Sequence, residues 1–270
     1  NLANTNAFYI GAETDAGNPF DGKLDDIRIY GYALSADQVR KIYNTTSPTQ
    51  PVDTSLVGHW TFDGNDIQGT TAIDRSSFGN NGTITGATKT IGKLGQALSF
   101  NGSSDYVDMG DVSYLNSVTT FSIAAWMKRR ASGNSVHIEK GRIGLDATVA
   151  MGFGGFGSSS TVNFIVAADG AHIAGAYFSS NDTEWHHVVM VFNGNQTGDA
   201  NRLKAYFDGV QQSLAFGAEP VPASTGTTSF TLWVGQAYAG DYSNGYIDDV
   251  RIYSRDISTN EVASLYAAGK

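Results

Sequence analysis

The chain has no cysteine, so disulfides and thiolate metal sites are excluded. Basic residues are few, with 17 Lys and Arg against 26 Asp and Glu, a formal charge of −9 and no long basic run. Nucleic acid and anionic membrane surfaces are therefore poor partners. No apolar run approaches the roughly 20 residues of a bilayer span, and no membrane insertion is expected. There is no initiating Met and no signal peptide, which reads as a processed or excised piece of a longer protein. Glutamate is limited to Glu13, Glu139, Glu184, Glu219 and Glu261, while glycine reaches 32 residues. That balance favours short strands and tight turns over helices. H-E-x-x-H, G-x-S-x-G and E-x-D-x-x-E are all missing. Zinc proteolysis, esterase-type nucleophiles and the paired carboxylates of β-glucan cleavage on one strand lose their usual signatures.

What is present is a repeated sentence. "GKLDDIRIYGYALSADQVRKIYN" starts at Gly22, and "GYIDDVRIYSRDISTNEVASLYA" starts at Gly245. Nine of these twenty-three positions are identical, and "FYIG" at 8–11 answers "LWVG" at 232–235. The offset of 223–224 residues is the length of one large all-β domain. Residues 1–44 thus read as the C-terminal remnant of a preceding repeat, and 55–270 as a complete second one. Between them, 45–54 carries Pro48 and Pro51 in a polar context and has the composition of a linker.

Period-two alternation recurs throughout the second repeat. "HWTF" at 59–62, "QALSF" at 96–100, "DYVDMG" at 105–110 and "TVNFIVAADG" at 161–170 are short and bounded by turn residues. In 121–129, Phe121, Ile123, Ala125 and Met127 share one face. In 186–194, His186, Val188, Met190 and Phe192 share one face, and His187, Val189 and Val191 the other. Residues 202–214 form a hairpin across Asp208-Gly209. Ser258 with Glu261 makes a capping box ahead of Val262, Leu265 and Tyr266. The expectation is an all-β protein, a two-sheet antiparallel sandwich closed by a short C-terminal helix.

In order, "LVGHWTFDGN", "IDRSSFGNNGTITG", "GKLGQALSFNGSSDYVDMG", "FSIAAWMKR", "EWHHVVMVFNG", "LKAYFDGV" and "GYIDDVRIYSRDIS" resemble a laminin-G-like domain of the concanavalin-A-like jelly-roll superfamily. The resemblance covers about 55–270, and its C-terminal part covers 8–44. It implies a curved jelly-roll sandwich, mostly non-catalytic, that binds glycans or protein partners outside the cell or at its surface, often with a structural calcium. In such a fold the first and last strands are neighbours. Asp63 and Asp248 would then meet, with a carbonyl near Asn101 or Gly102, as hard-oxygen ligands of a calcium ion. The alternative is that Asp248 caps a turn or pairs with Arg251.

Other constellations are weaker. His186 and His187 point to opposite faces and cannot grip one metal together. "GFGGFG" at 152–157 is followed by a strand rather than a helix, so it is a glycine-rich loop and not a dinucleotide site. Asp182 and Glu184 sit in a polar turn. A sugar platform is expected in the loop carrying Tyr238, Asp241, Tyr242 and Asn244, joined by Phe153 and Phe156. These loop aromatics equally suit covering a sandwich edge. The expected function is a non-catalytic extracellular recognition module, carbohydrate-binding, within a tandem array. The alternative is a structural or adhesive subunit that self-assembles, residues 8–30 adding strands to a neighbouring chain.

Overall fold

Leu56–Trp60 opens an eight-stranded antiparallel sheet by pairing with the last strand, Asn244–Tyr253. In this computed structural model the described residues are 10–11, 20–22, 24, 27–31, 34, 39, 53–146, 148–154, 159–237 and 240–270. Two compact units divide the chain, Asn1–Val52 and Asp53–Lys270. In the first unit, the strands expected over 8–30 fall largely outside the described residues. Residues 27–30 are described and are not in a strand. A ladder exists only where a partner strand satisfies its donors and acceptors.

The second unit is an all-β jelly-roll sandwich. Across the eight-stranded sheet the order is Val210–Gln211, Leu203–Phe207, His186–Asn193, Thr120–Arg129, Asn244–Tyr253, Gln96–Asn101 and Thr88–Ile91. The opposing sheet has ten strands: Ala215–Phe216, Ile173–Ser179, Thr161–Ala167, Val149–Phe153, Val136–Lys140, Leu232–Val234, Tyr106–Asp108, Gly82–Thr85, Thr71–Ala72 and Ile67–Gln68. A small ribbon pairs Gln236–Ala237 with Asp241–Tyr242.

The alternation decides what is buried. Phe121, Ile123, Ala125 and Met127 enter the inter-sheet core with Val188, Met190 and Phe192, as their period requires. The opposite face of these strands carries Ala124, Val189 and Val191, which form a second cluster with Tyr206, Tyr253, Ile257 and Val262. Val262 lies on the C-terminal helix Thr259–Ala268, whose capping box joins Ser258 and Glu261. Tyr266 of that helix stacks on Trp126 at 5.7 Å. The Asp208-Gly209 hairpin forms as expected, with φ of 52° and 80° at its two turn residues.

The "IDRSSFGNNG" motif is a structural clamp. Asp74 accepts hydrogen bonds from the backbone N–H groups of His59, Ser76 and Asn80. Asn80 in turn donates to the Val57 carbonyl and accepts, through its own carbonyl, from Trp60 Nε1.

Candidate functional site

The inward residues of the ten-stranded sheet leave a defined set facing outward. Leu232 and Val234 point into the core, so Trp233 points away from it. Val136 and Ile138 likewise send His137 and Glu139 outward, and Val107 sends out Tyr106 and Asp108. The register then builds a row across the sheet. Trp233 stands opposite Glu139 on one side and Asp108 on the other, and Asp108 stands opposite Thr83. Trp233, Asp108 and Tyr106 are half-buried, whereas Glu139 is fully buried. One step along, Tyr106 lies 6.5 Å from Tyr242. His137 Nε2 meets Asp241 Oδ2 at 3.1 Å. That hydrogen bond, more than burial opposes it, holds the Asp241 carboxyl below its ordinary range. Half-exposed aromatics framed by carboxylates form a polar, aromatic surface of the kind that orients sugar rings and their hydroxyls.

The expected sugar loop divides. Asp241 and Tyr242 reach this row. Asn244 instead belongs to the eight-stranded sheet, where its Oδ1 accepts from Arg130 Nε at 3.0 Å. Phe153 does not serve as a platform, because it faces the inter-sheet core and is fully buried. Its strand, Val149–Phe153, runs into the glycine segment, and Gly152 is needed where a Cβ would collide with the Val136 carbonyl. Tyr238 and Phe156 lie outside the described residues. Sequence reasoning missed Tyr106, His137, Glu139 and Trp233. The available signal was the alternation of "VHIEK" and "LWV", which fixes which residues turn outward once the strands are recognised.

Asp63 and Asp248 do converge. The turn Gly92–Gly95 sits between them. Lys93 N and Leu94 N each donate to Asp248 Oδ2 at 2.8 Å, and Gln96 N donates to Asp63 Oδ1 at 2.7 Å. Asp248 is fully buried, and burial, with the like charges of Asp249 and Asp63, pushes its carboxyl up to about 7. Among the described residues, Asp248 Oδ1 and Gln96 Oε1 are buried with no hydrogen-bond partner. Two orphaned oxygens beside a repelling carboxylate pair suit a hard cation. Among the described residues no group of three or more His, Cys, Asp or Glu is arranged to hold a metal ion, so any further ligands would be amide or backbone oxygens. Asn101 and Gly102 do not join this cluster. They sit at the other end of the Gln96–Asn101 strand, about 17 Å away at 3.4 Å per residue. There Asn101 Oδ1 accepts from Ser103 N and Ser104 N in a tight local turn. Arg251 pairs with Asp249 at 3.1 Å rather than with Asp248.

The histidine pair splits as its alternation demands. His186 bonds Asp208 at 2.8 Å and stacks on Phe207. His187 lies on the other face against Trp126, and burial lowers it to about 4. Asp182 in the polar turn accepts from Glu184 N and pairs with His186.

Among solved structures, the chain is similar to domain 4 of AbnA, an extracellular arabinanase from Geobacillus stearothermophilus, in complex with arabinotriose. The identity is 20%, the alignment covers 78% of this chain and 98% of that one, and the TM-score is 0.57. It is similar also to the binding domain of botulinum neurotoxin DC in complex with SialylT, at 14% identity, 82% and 53% coverage and a TM-score of 0.60. The Trypanosoma rangeli sialidase in complex with the inhibitor DANA aligns at 15% identity, 78% and 32% coverage and a TM-score of 0.54. The chain thus spans about half of the toxin binding domain and a third of the sialidase, and these likenesses show the fold alone. No curated protein matches. A family model described as the concanavalin A-like lectin/glucanases superfamily matches residues 1–40 and 101–263, and the chain belongs to that laminin-G-like family.

Proposed function

We propose that this chain is a non-catalytic, extracellular carbohydrate-recognition module. The observation that carries the reading is the outward row of the ten-stranded sheet. Trp233 stands between Asp108 and Glu139, with Tyr106 and Tyr242 beside it. The Asp108 carboxylate, partly open beside the half-exposed indole, accepts sugar hydroxyls while the ring takes the apolar sugar face. Glycans bound to two structural neighbours, arabinotriose and SialylT, support the same reading. Asp108 and Glu139 stand two strands apart, about 9.6 Å, at the wide limit for an acid–base pair in inverting hydrolysis. Glu139 is fully buried, however, and a sealed carboxyl does not reach a glycosidic oxygen above the sheet. A glycan array tests recognition, and a reducing-end assay on the same sugars tests the absence of turnover. Sustained release of new reducing ends that disappears in Glu139→Gln would make the module an enzyme.

Calcium fits the Asp63–Asp248–Gln96 junction. Bound there, it would supply the positive charge that both carboxylates lack and tie the first strand to the last. Its role in this reading is structural.

A self-assembling subunit is favoured by one separate observation. Leu24, Ile27, Ile29 and Val39 are exposed, at 48–74%. Their counterparts in the second repeat, Ile247, Val250, Ile252 and Val262, are fully buried. An apolar stripe of this kind is a docking face. Light scattering of the whole chain tests it, and a monomer at every concentration would rule it out.

A further inference from the structure

The outer face of the eight-stranded sheet carries a second surface that the row around Trp233 does not include. Tyr246 stands opposite Ser99 on one neighbouring strand and Lys128 on the other. His186 pairs with Met127, so Trp185 continues the row beyond Lys128. The Trp185 and Tyr246 rings lie 6.1 Å apart, and both are half-exposed. Arg130 fixes Tyr246 in place. Its guanidinium lies 4.7 Å from the ring centroid and bonds Tyr246 Oη at 2.7 Å, Ser99 Oγ at 2.9 Å and Asn244 Oδ1 at 3.0 Å. Two residues before Lys128 on the same face of its strand, Trp126 has the Lys93 ammonium 5.0 Å from its ring. Tyr266, stacked on Trp126, has Lys270 at 4.9 Å.

The charge balance of this face is unusual for the molecule. The chain carries a net −9, yet Lys93, Lys128, Arg130 and Lys270 gather here. Among the described residues, Lys93 and Lys270 meet aromatic rings and pair with no carboxylate. Among the described residues, Lys128 has only the well-exposed Glu184, at 3.6 Å. Such an exposed pair is weak and gives way readily to a stronger anion. A cation resting on an aromatic face keeps its charge available on the solvent side.

We propose that this surface binds an acidic saccharide, a sugar chain whose rings carry carboxylate groups. The apolar face of one ring stacks on Trp185 beside Tyr246. Its carboxylate meets the Lys128 ammonium, and the next carboxylate along the chain reaches Lys93. Arg130 acts as a positioning residue, because its donors are occupied in holding Tyr246, Ser99 and Asn244. The molecule then presents two recognition faces of opposite character. Carboxylates frame the aromatics of one sheet, and ammonium groups frame those of the other.

Titration calorimetry of the full chain with trigalacturonate tests the proposal, with its methyl-ester form as the uncharged control. Binding is expected to weaken about tenfold in Trp185→Ala and again about tenfold in Lys128→Gln. It should weaken steeply between about 50 and 300 mM NaCl, as charge contacts at a surface do. The methyl ester should bind at least about tenfold more weakly than the acid. Trp233→Ala should leave trigalacturonate binding unchanged, so failure here is separable from failure of the carbohydrate site on the other sheet. Near-UV circular dichroism confirms that each variant is folded. Absence of trigalacturonate binding by the native chain overturns the proposal, as does equal affinity for acid and ester. Binding that persists in both Trp185→Ala and Lys128→Gln overturns it too.

Discussion

Trp126 and Trp233 both point outward from the middle of a sheet, but their surroundings differ. Trp126 is roofed by the C-terminal helix, with Tyr266 stacked on it and Gly269 so close that a Cβ would strike the indole. Beneath this roof Trp126 Nε1, His187 Nδ1 and Asp248 Oδ1 are buried without hydrogen-bond partners among the described residues. These three residues are in register on adjacent strands. Among the described residues, no helix packs on Trp233. It is half-buried, and Asp108 and Tyr106 stay partly open beside it. One alternating pattern thus gives two outcomes. Where the helix closes over the sheet, polar groups become structural and strained in their ionisation. Where it does not, Asp108 and Asp241 stay open to solvent, although Glu139 and His137 are buried there as well.

Removing each tryptophan should separate the two roles. Trp126→Ala empties a packed site and is expected to cost about 3–5 kcal/mol, read as a fall in the urea midpoint. Carbohydrate binding at the other sheet should survive in whatever fraction remains folded.

The roofed row also predicts a pH effect. His187 is lowered to about 4, so between pH 4 and 6.5 the unfolded chain binds the proton that the folded chain refuses. Its contribution therefore falls as pH drops through that window, by at most about 3 kcal/mol. Asp248, raised to about 7, slopes the other way, because the folded state holds its proton to higher pH. With chelator present, His187→Gln should gain stability relative to the native chain as pH falls from 6.5 to 4.5. A difference between the two proteins that stays constant across that range would show that His187 is not buried as described.

The proposed calcium site lies at the edge of the same row. At an ion concentration one hundred times its dissociation constant, native-state binding would add about 2.7 kcal/mol. Asp248→Asn keeps an acceptor for Lys93 N and Leu94 N but loses the charge. Melting scans should show a calcium-dependent rise for the native chain and none for the variant. A rise of equal size in both would place the ion elsewhere, and no rise in either would mean that no ion binds.

Trp233→Ala should have the smallest effect on stability, within about 1 kcal/mol, because its side chain lies outside the core. Thermal unfolding checks this. A loss comparable to that of Trp126→Ala would mean that the open face is structural after all.

The fold was legible because alternation is a local signal. The faces of 121–129 and 186–192, the Asp208-Gly209 turn and the Ser258–Glu261 cap could each be read from a few residues, and each is found in place. The meeting of Asp63 with Asp248 was also legible, since it needs only the first and last strands to be neighbours. The site was less so, because it depends on register between distant strands. Nothing near Trp233 in sequence announces Glu139 and Asp108, which reach it only through strand pairing. The same holds for Asn101, which the register sets opposite Asn244 rather than beside Asp248. The glycines around Phe153 have the composition of a loop, yet its strand sends it into the core.

The central claim is that the row around Trp233 binds carbohydrate. It is tested most directly by screening the native chain on a glycan array, then titrating the best neutral oligosaccharide into the native chain and into Trp233→Ala by calorimetry. Native binding that falls by about tenfold or more in a variant of unchanged melting temperature is the predicted result. Equal affinity in the two proteins, or no binding of any neutral saccharide by the native chain, would contradict it.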